Sequence, residues 1–257
     1  MDGKRATWIG VAGACVLVAA ACGARAGEGE AQAMPAGLDA SDFQTRQQTM
    51  RKLLAGPAIA DKQLKRWLQQ AESPEQRHRL LTIARHHTIR KVRRKRFEAG
   101  ANANNRPPNQ RGGSIGISHQ WVPAQNIPGR SQAGVLVVHT IVGFPGHAHL
   151  EAGDLVLKLN GQKLAEGMNA GGFARMIKQH GQGQAMTMTV LRDGEKREVR
   201  FKLAAAAALS QMYEVRDGLQ LRADFREPWL RRRQSLVQGL DLSRSLSLSE
   251  PGAGNEK

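Results

Sequence analysis

The sequence predicts an α+β protein in which a small all-α helical region precedes a compact, partly open β-barrel with one short helix. Two observations support this fold class. Apolar residues recur at helical spacing up to about residue 97, whereas from Ile115 onward they alternate with the period of two that is typical of strands. Aromatic residues make up only 4% of the chain, so its cores are aliphatic and modest, which favours two small folded units over one large domain.

Residues 1–26 are typical of a bacterial export signal. Lys4 and Arg5 precede an uncharged apolar run that ends at Cys22, and Ala24-Arg25-Ala26 provides a small-residue cleavage site. We expect cleavage, since the apolar run is short for a membrane span; an uncleaved anchor and a lipid-modified Cys22 are the alternatives. The expected location is the periplasm or cell envelope. Both cysteines lie within this segment, so the cleaved chain has no disulfide and no cysteine metal site.

The formal net charge of the chain is +16. Loss of residues 1–26 removes Lys4, Arg5, Arg25 and Asp2, a net +2, which leaves +14. A charge of this size indicates an anionic partner. For an exported protein we expect anionic lipid, a cell-wall polymer or other envelope proteins rather than nucleic acid.

The region from about residue 39 to 98 is predicted to form three helices. Asp42 caps the first helix, which ends near Gly56-Pro57, and the second covers about residues 59–71. Ser73-Pro74-Glu75-Gln76 starts the third, with Ser73 as the N-cap and Gln76 reaching back to complete a capping box.

A capped helix start recurs at a spacing of 31 residues, with Asp42 and Arg46 matched by Ser73 and Arg77. This recurrence resembles one and a half HEAT-like helical hairpins. Stacked repeats of this kind need about three units to bury a continuous core. We therefore expect the helical region to be a small appendage, or to pack against the next domain or another chain.

The third helix is strongly basic. Between Arg77 and Arg96 the sequence has nine Lys and Arg residues and no acidic residue. With only Ile89 and Val92 to bury after residue 88, the end of this helix is expected to project into solvent. Its cations either complement the helix dipole or form a patch for anionic lipid or polymer. That patch consists of Arg90, Lys91, Arg93, Arg94, Lys95 and Arg96.

The β-rich region shows strand and turn signals in regular succession. Asn160-Gly161 and Asp193-Gly194 are tight-turn dipeptides between alternating segments, and a short helix is predicted from about residue 172 to 180. The predicted organisation is a signal peptide at 1–26, a flexible lead at 27–38, the helical region at 39–98, a linker at 99–111, the β-rich domain at 112–205, and a polar, partly disordered tail at 206–257. The alternative to partial disorder is that Trp229 to Arg233 forms part of a short amphipathic element, which docks on the β-rich domain or on a membrane.

Four motifs of this region resemble the PDZ domains attached to bacterial HtrA-type proteases. Ser114-Ile115-Gly116-Ile117 is similar to their x-Φ-G-Φ carboxylate-binding loop, and Leu150 to Gly161 is similar to their L-x-x-G-D-x-I-x-x-x-N-G stretch. The helix from Phe173 and the hairpin at Leu191 to Gly194 follow in the family's order. One departure is Gly146-His147-Ala148-His149, where the family has Ala-Gly before the leucine. The resemblance implies a PDZ-type barrel with a groove helix, here without a protease domain.

The resemblance also implies a peptide-binding groove. Backbone amides of an x-Φ-G-Φ loop converge on a carboxylate, and the ligand adds as a strand to the sheet beside the helix. Spacing alone does not decide which helix residues face this groove and which face the core. The predicted peptide-binding residues are Ser114, Ile115, Gly116, Ile117, Ser118, His119, Phe173, Met176, Ile177, His180 and Arg111.

The sequence indicates a binding protein rather than an enzyme. The helical region is too short for a chymotrypsin-like domain, and neither H-E-x-x-H nor a nucleotide-binding loop occurs. His139, His147 and His149 have no partner at diagnostic metal spacing, so we interpret them as exposed loop histidines, with no metal or cofactor expected. The predicted function is a non-enzymatic adaptor or scaffold that captures extended or C-terminal segments of envelope proteins. The alternative is a structural protein that binds an anionic membrane or envelope polymer through the basic helix, with the PDZ fold as scaffold.

Overall fold

The computed structural model describes residues 33–98, 112–126, 133–165, 167–216 and 218–240. The protein is α+β, as predicted, and the sheets in these residues are open, with no closed barrel among them. Residues from Ala33 onward cluster as one compact unit. The predicted signal peptide and the linker at 99–111 lie outside the described residues. No helix in the described ranges combines the length and apolarity needed to cross a bilayer.

Three helices form the N-terminal layer: α1 (Phe43–Ala55), α2 (Asp61–Gln70) and α3 (Pro74–Phe97). The Asp42 carboxylate accepts hydrogen bonds from the backbone N–H groups of residues 44 and 45, which confirms it as an N-cap. Ser73 Oγ accepts from the Gln76 N–H (3.1 Å), and Gln76 Oε1 accepts from the Glu72 N–H (2.8 Å). The end of the predicted flexible lead is ordered instead, because Leu38 is fully buried beneath these helices.

Within the predicted polar, partly disordered tail, residues 206–216 and 218–240 are folded. They form α6 (Ala206–Met212), a hairpin of β9 (Tyr213–Arg216) and β10 (Gly218–Leu221), and α7 (Ala223–Val237). Trp229 and Leu236 of α7 are buried among the apolar residues of α1 to α3. Helix α7 therefore packs against the helical region, and its apolar residues complete the core that α1 to α3 share. Residues 241–257 lie outside the described residues.

A six-stranded antiparallel sheet forms the second layer, in the order β2-β3-β4-β6-β7 with β5 paired to β4. Its strands are β2 (Ile117–Val122), β3 (Gly134–Thr140), β4 (Leu155–Leu159), β5 (Gln162–Lys163), β6 (Ala185–Arg192) and β7 (Glu195–Lys202). A separate pair joins β1 (Gly113–Ser114) to β8 (Ala204–Ala205). Helices α4 (Pro145–His149) and α5 (Ala170–Gln179) lie within this region, and Phe173 of α5 is fully buried in its core.

The turn before β4 is fixed by buried charges. Arg192 donates to both carboxylate oxygens of Asp154 at 2.6 Å, and Asp154 also accepts from the Glu151 N–H. Glu151 pairs in addition with Arg192 (2.7 Å) and with Arg51 of α1. Asp154, in the segment from Leu150 to Gly161, therefore has a structural role. Glu151 links the helical layer to the sheet through its ion pairs with Arg51 and Arg192.

The end of α3 is packed rather than projecting into solvent, contrary to the expectation from sequence. Ile89, Arg93 and Phe97 are at most 5% exposed. Arg93 Nε donates to the Gly143 carbonyl (2.9 Å), and its guanidinium lies over the Phe144 ring at 5.1 Å. The segment before α4, together with α6 and α7, covers this end of the helix, and these elements follow α3 too far along the chain for its own spacing to reveal them.

Candidate functional site

An open cleft of about 820 Å³ lies between β2 and α5. Residues 113–119 form one wall, and α5 contributes Ala174, Ile177 and Lys178 to the other. Residues of α6, together with Tyr213 and Leu219, extend the cleft beyond the start of β2. Its volume lies in the range of small-molecule and peptide side-chain pockets.

The orientation of β2 leaves backbone groups available to this cleft. β2 is an edge strand and pairs only with β3 among the described strands. The Ile141 N–H donates to the Gly116 carbonyl (2.9 Å), and Ile117 lies opposite Thr140. Because hydrogen-bonded and non-hydrogen-bonded pairs alternate in an antiparallel ladder, the Ile117–Thr140 pair is a non-hydrogen-bonded one. The N–H and C=O of Ile117 therefore point away from β3, to the unpaired side of β2.

Gly116 occupies a backbone conformation that requires glycine. Its φ is +68°, and a Cβ atom built there would lie 2.2 Å from the Cβ of Phe144. The Gly116 N–H donates to Ser114 Oγ (3.2 Å), so one amide of the predicted loop already has a local partner. The loop thus has a fixed backbone shape, because the Phe144 side chain packs directly against Gly116.

The two isoleucines of the loop form its base. Ile115 and Ile117 are both buried, and both line the cleft. The Ile115 carbonyl accepts from the Gly146 N–H (2.8 Å), and Gly146 packs directly against the Ile117 side chain. The segment that departs from the family pattern, residues 146–149, therefore lies in α4 and supports the loop from beneath.

The structure separates the groove residues of α5 from its core residues. The Asn169 side chain caps the helix by accepting from the Gly172 N–H (2.8 Å). Of the four predicted helix residues, only Ile177 lines the cleft; Phe173 and Met176 pack into the core. His180 also lies outside the cleft, as the helix C-cap, and its carbonyl accepts from the Gly113 N–H (2.6 Å).

Sequence reasoning missed several cleft residues. Ala174 and Lys178 of α5 line it although neither belongs to the apolar stripe that marks the helix. The contribution of α6 was also missed, because its alanine-rich sequence gives no binding signal. Leu219 is apolar and 45% exposed, and it lines the cleft. Only its exposure, which is known from the structure, marks it as a cleft residue.

The remaining predicted residues on this side lie as follows. Ser118 and His119 both line the cleft. His119 Nε2 hydrogen-bonds to the Ala170 carbonyl (3.1 Å), and its ring lies 5.0 Å from that of Phe173, so it bridges β2 and the start of α5. Arg111 lies outside the described residues.

The predicted basic patch of α3 is not uniformly exposed to solvent, because its residues divide between buried and exposed positions. Arg90 donates to the carbonyls of Leu54 (3.0 Å) and Gly56 (2.7 Å), and burial lowers its pKa. Arg93 is buried, as described above. Arg96 pairs with Asp224 of α7 at 3.2 Å. Lys91, Arg94, Lys95 and Arg96 are exposed.

The histidines are only partly where the sequence placed them. His139 is exposed, but His147 and His149 are partly buried. The His147 ring stacks on that of His86 with centroids 5.3 Å apart. Burial, with a further contribution from nearby cations, lowers the pKa of His86 to about 2 and that of His147 to about 4. Within the described ranges, no group of three or more His, Cys, Asp or Glu residues is placed to hold a metal ion.

Of the three comparisons with known proteins, only the one with solved structures gives matches. No protein-family model matches the chain, and no curated protein matches it. A solved structure of a serine-to-alanine variant of the HtrA-type protease AlgW with decapeptide aligns with a TM-score of 0.32 and 18% identity, over 37% of this chain and 29% of that chain. The HtrA-type protease AlgW with decapeptide aligns with a TM-score of 0.30 and 21% identity over the same shares. The chain thus spans under a third of the length of these structures.

Proposed function

We propose that this chain binds an extended peptide segment of another protein along the open edge of β2, in the groove between β2 and α5. The observation that supports this most is the orientation of Ile117, whose N–H and C=O point to the unpaired side of β2. A peptide strand added there pairs its backbone with β2 and places alternate side chains in the cleft.

The position of α6 favours a carboxy-terminal segment over an internal one. β8 pairs with β1 just before the loop, and α6 follows β8 directly. A peptide that runs along β2 towards residues 115–117 meets α6 at that end of the cleft. A chain that ends there fits, whereas a chain that continues has to turn away.

The charges of the cleft support the same conclusion. Lys178 lines the cleft, and its described lining residues include no Asp or Glu. A terminal carboxylate gains from nearby backbone N–H groups and from a cation, since charge-assisted hydrogen bonds are roughly twice as strong as neutral ones. Ile115, Ile117, Ile177 and Leu209 supply apolar surface for the last side chain of the peptide.

We place this binding activity in the bacterial cell envelope, where the protein acts as an adaptor or scaffold. The support for this location is the export-signal pattern of residues 1–26. The proposal assigns no catalytic step and no cofactor to the chain.

Fluorescence anisotropy with a labelled peptide library tests the proposal. Peptides that end in an apolar residue with a free carboxylate are expected to bind in the micromolar range, or roughly 8 kcal/mol. Amidation of the same peptides is expected to weaken binding about tenfold or more, because it removes a charge-assisted hydrogen bond.

A matched pair of variants on α5 locates the site. Ala174→Leu fills the cleft and is expected to weaken peptide binding at least about tenfold. Gln179→Leu adds a similar side chain at an exposed position outside the cleft and leaves the affinity unchanged. Equal binding of free and amidated peptides, together with equal affinities of the two variants, contradicts the proposal.

A further inference from the structure

A second cleft, of about 800 Å³, lies between α3 on one side and α4 and the end of β7 on the other. It is distinct from the peptide cleft described above, and its lining is strongly basic. Five Lys and Arg residues line it, against Glu98 as the one acidic residue among the described lining. These cations are Arg90, Arg93, Arg94, Lys95 and Lys202.

Two of these cations are held in place by the fold. The Arg90 guanidinium is fixed by two backbone carbonyls, and Arg93 is anchored to the Gly143 carbonyl and to Glu98. Because Glu98 already pairs with Arg93, its negative charge is largely neutralised within the protein. Arg94, Lys95 and Lys202 are exposed and can move towards a ligand.

A buried hydrogen-bond donor also lies at this cleft. His86, which is 1% exposed, lines it, and His86 Nδ1 accepts from the Gly143 N–H at 3.2 Å. A neutral imidazole that accepts at Nδ1 carries its proton on Nε2. His86 Nε2 is buried and has no hydrogen-bond partner in the described part of the chain. A buried donor without an acceptor costs free energy, so a ligand that supplies an acceptor is favoured where a local movement exposes Nε2 to the cleft.

We propose that this cleft binds a phosphate-bearing ligand. A concave surface lined by charges of one sign focuses the field and concentrates ions of the opposite charge. Arginine pairs bind phosphate oxygens with high geometric specificity. Ala148, Phe201 and Leu203 provide apolar surface beside the cations, which suits an organic phosphate better than a bare ion. The ligand chemistry is shared by a soluble organic phosphate and by a phospholipid headgroup.

The test uses the purified full-length chain and two probes. Inorganic pyrophosphate is titrated by calorimetry, and flotation measures binding to vesicles of phosphatidylcholine with and without phosphatidylglycerol. Pyrophosphate binding without vesicle binding assigns the cleft to a soluble phosphate. Phosphatidylglycerol-dependent flotation that pyrophosphate reduces assigns it to a headgroup.

Two triple variants of equal charge separate a site from general attraction. The cleft variant combines Arg94→Gln, Lys95→Gln and Lys202→Gln, and the control combines Lys62→Gln, Lys163→Gln and Lys196→Gln at exposed positions outside the cleft. We expect the cleft variant to bind at least about tenfold more weakly, since each cation near an anionic surface changes affinity about fivefold. We expect the control to retain most of its affinity. Equal weakening in both variants, or no binding of either probe to the unmodified chain, overturns the proposal.

Discussion

Replacing Gly116 by alanine tests whether the loop at the start of β2 is held against Phe144 as described. Two costs add at this position. A φ of +68° costs a non-glycine residue about 1–2 kcal/mol. The new Cβ would also lie 2.2 Å from the Phe144 Cβ, and overpacking of this kind costs about 1–3 kcal/mol. We therefore expect Gly116→Ala to lower the free energy of unfolding by about 2–5 kcal/mol.

The measurement is urea denaturation, with Gly161→Ala as the matched control. Gly161 has a φ of +80°, and a Cβ atom added there would meet no other atom within 4 Å, so its substitution carries only the backbone cost. The free energy lost by Gly116→Ala should exceed that lost by Gly161→Ala by the packing cost. Equal losses would show that the loop is free to move away from Phe144, and the fixed loop shape would then be wrong.

Two further predictions concern buried charges and histidines. Asp154→Asn breaks the buried pair with Arg192 and is expected to destabilise the protein by roughly 3 kcal/mol, measured by urea denaturation. Stability should also fall with acid: the pKa of His86 is lowered from 6.5 to about 2 and that of His147 to about 4, so the unfolded chain takes up protons first. The part of the folding stability that depends on these neutral histidines is therefore fully present above about pH 6.5 and is lost as the pH falls towards 4. Denaturation in a pH series measures that slope.

Matched variants exist for both predictions. Glu195→Gln breaks an exposed pair with Arg197, which should cost less than about 1 kcal/mol. A loss equal to that of Asp154→Asn would mean that the buried pair contributes no more than a surface one. For the acid effect, His86→Gln should flatten the pH dependence, whereas the exposed His139→Gln should not. An unchanged slope in His86→Gln would contradict the assignment to the buried histidine.

Local signals predicted the parts of the fold that depend on neighbouring residues. Ser73 with Gln76, and Asp42 alone, identified helix starts, because capping depends on residues two to four positions apart. Gly116 was identified through the resemblance of Ser114 to Ile117 to an x-Φ-G-Φ loop, which is also a motif of neighbouring residues. The alternation of β6 likewise gave its buried face directly.

The parts that sequence did not predict depend on contacts between distant segments. Trp229 packs on helices more than 140 residues earlier in the chain, so the basic run beside it resembled a polar tail. Arg93 was predicted to be solvated because Gly143 and Phe144, which it contacts, lie about 50 residues further along the chain. Ala174 lines the cleft because it is small, and small residues carry little signal in a hydrophobic pattern.

The most direct test of the account is a nuclear magnetic resonance titration of the ¹⁵N-labelled chain with a peptide that ends in an apolar residue and a free carboxylate. We predict that the amide resonance of Ile117 shifts most, together with those of its neighbours in the loop and of Ala174 and Ile177 on α5. Shifts confined to other surfaces, with the Ile117 amide unaffected at saturation, would contradict the proposal that β2 receives a peptide strand.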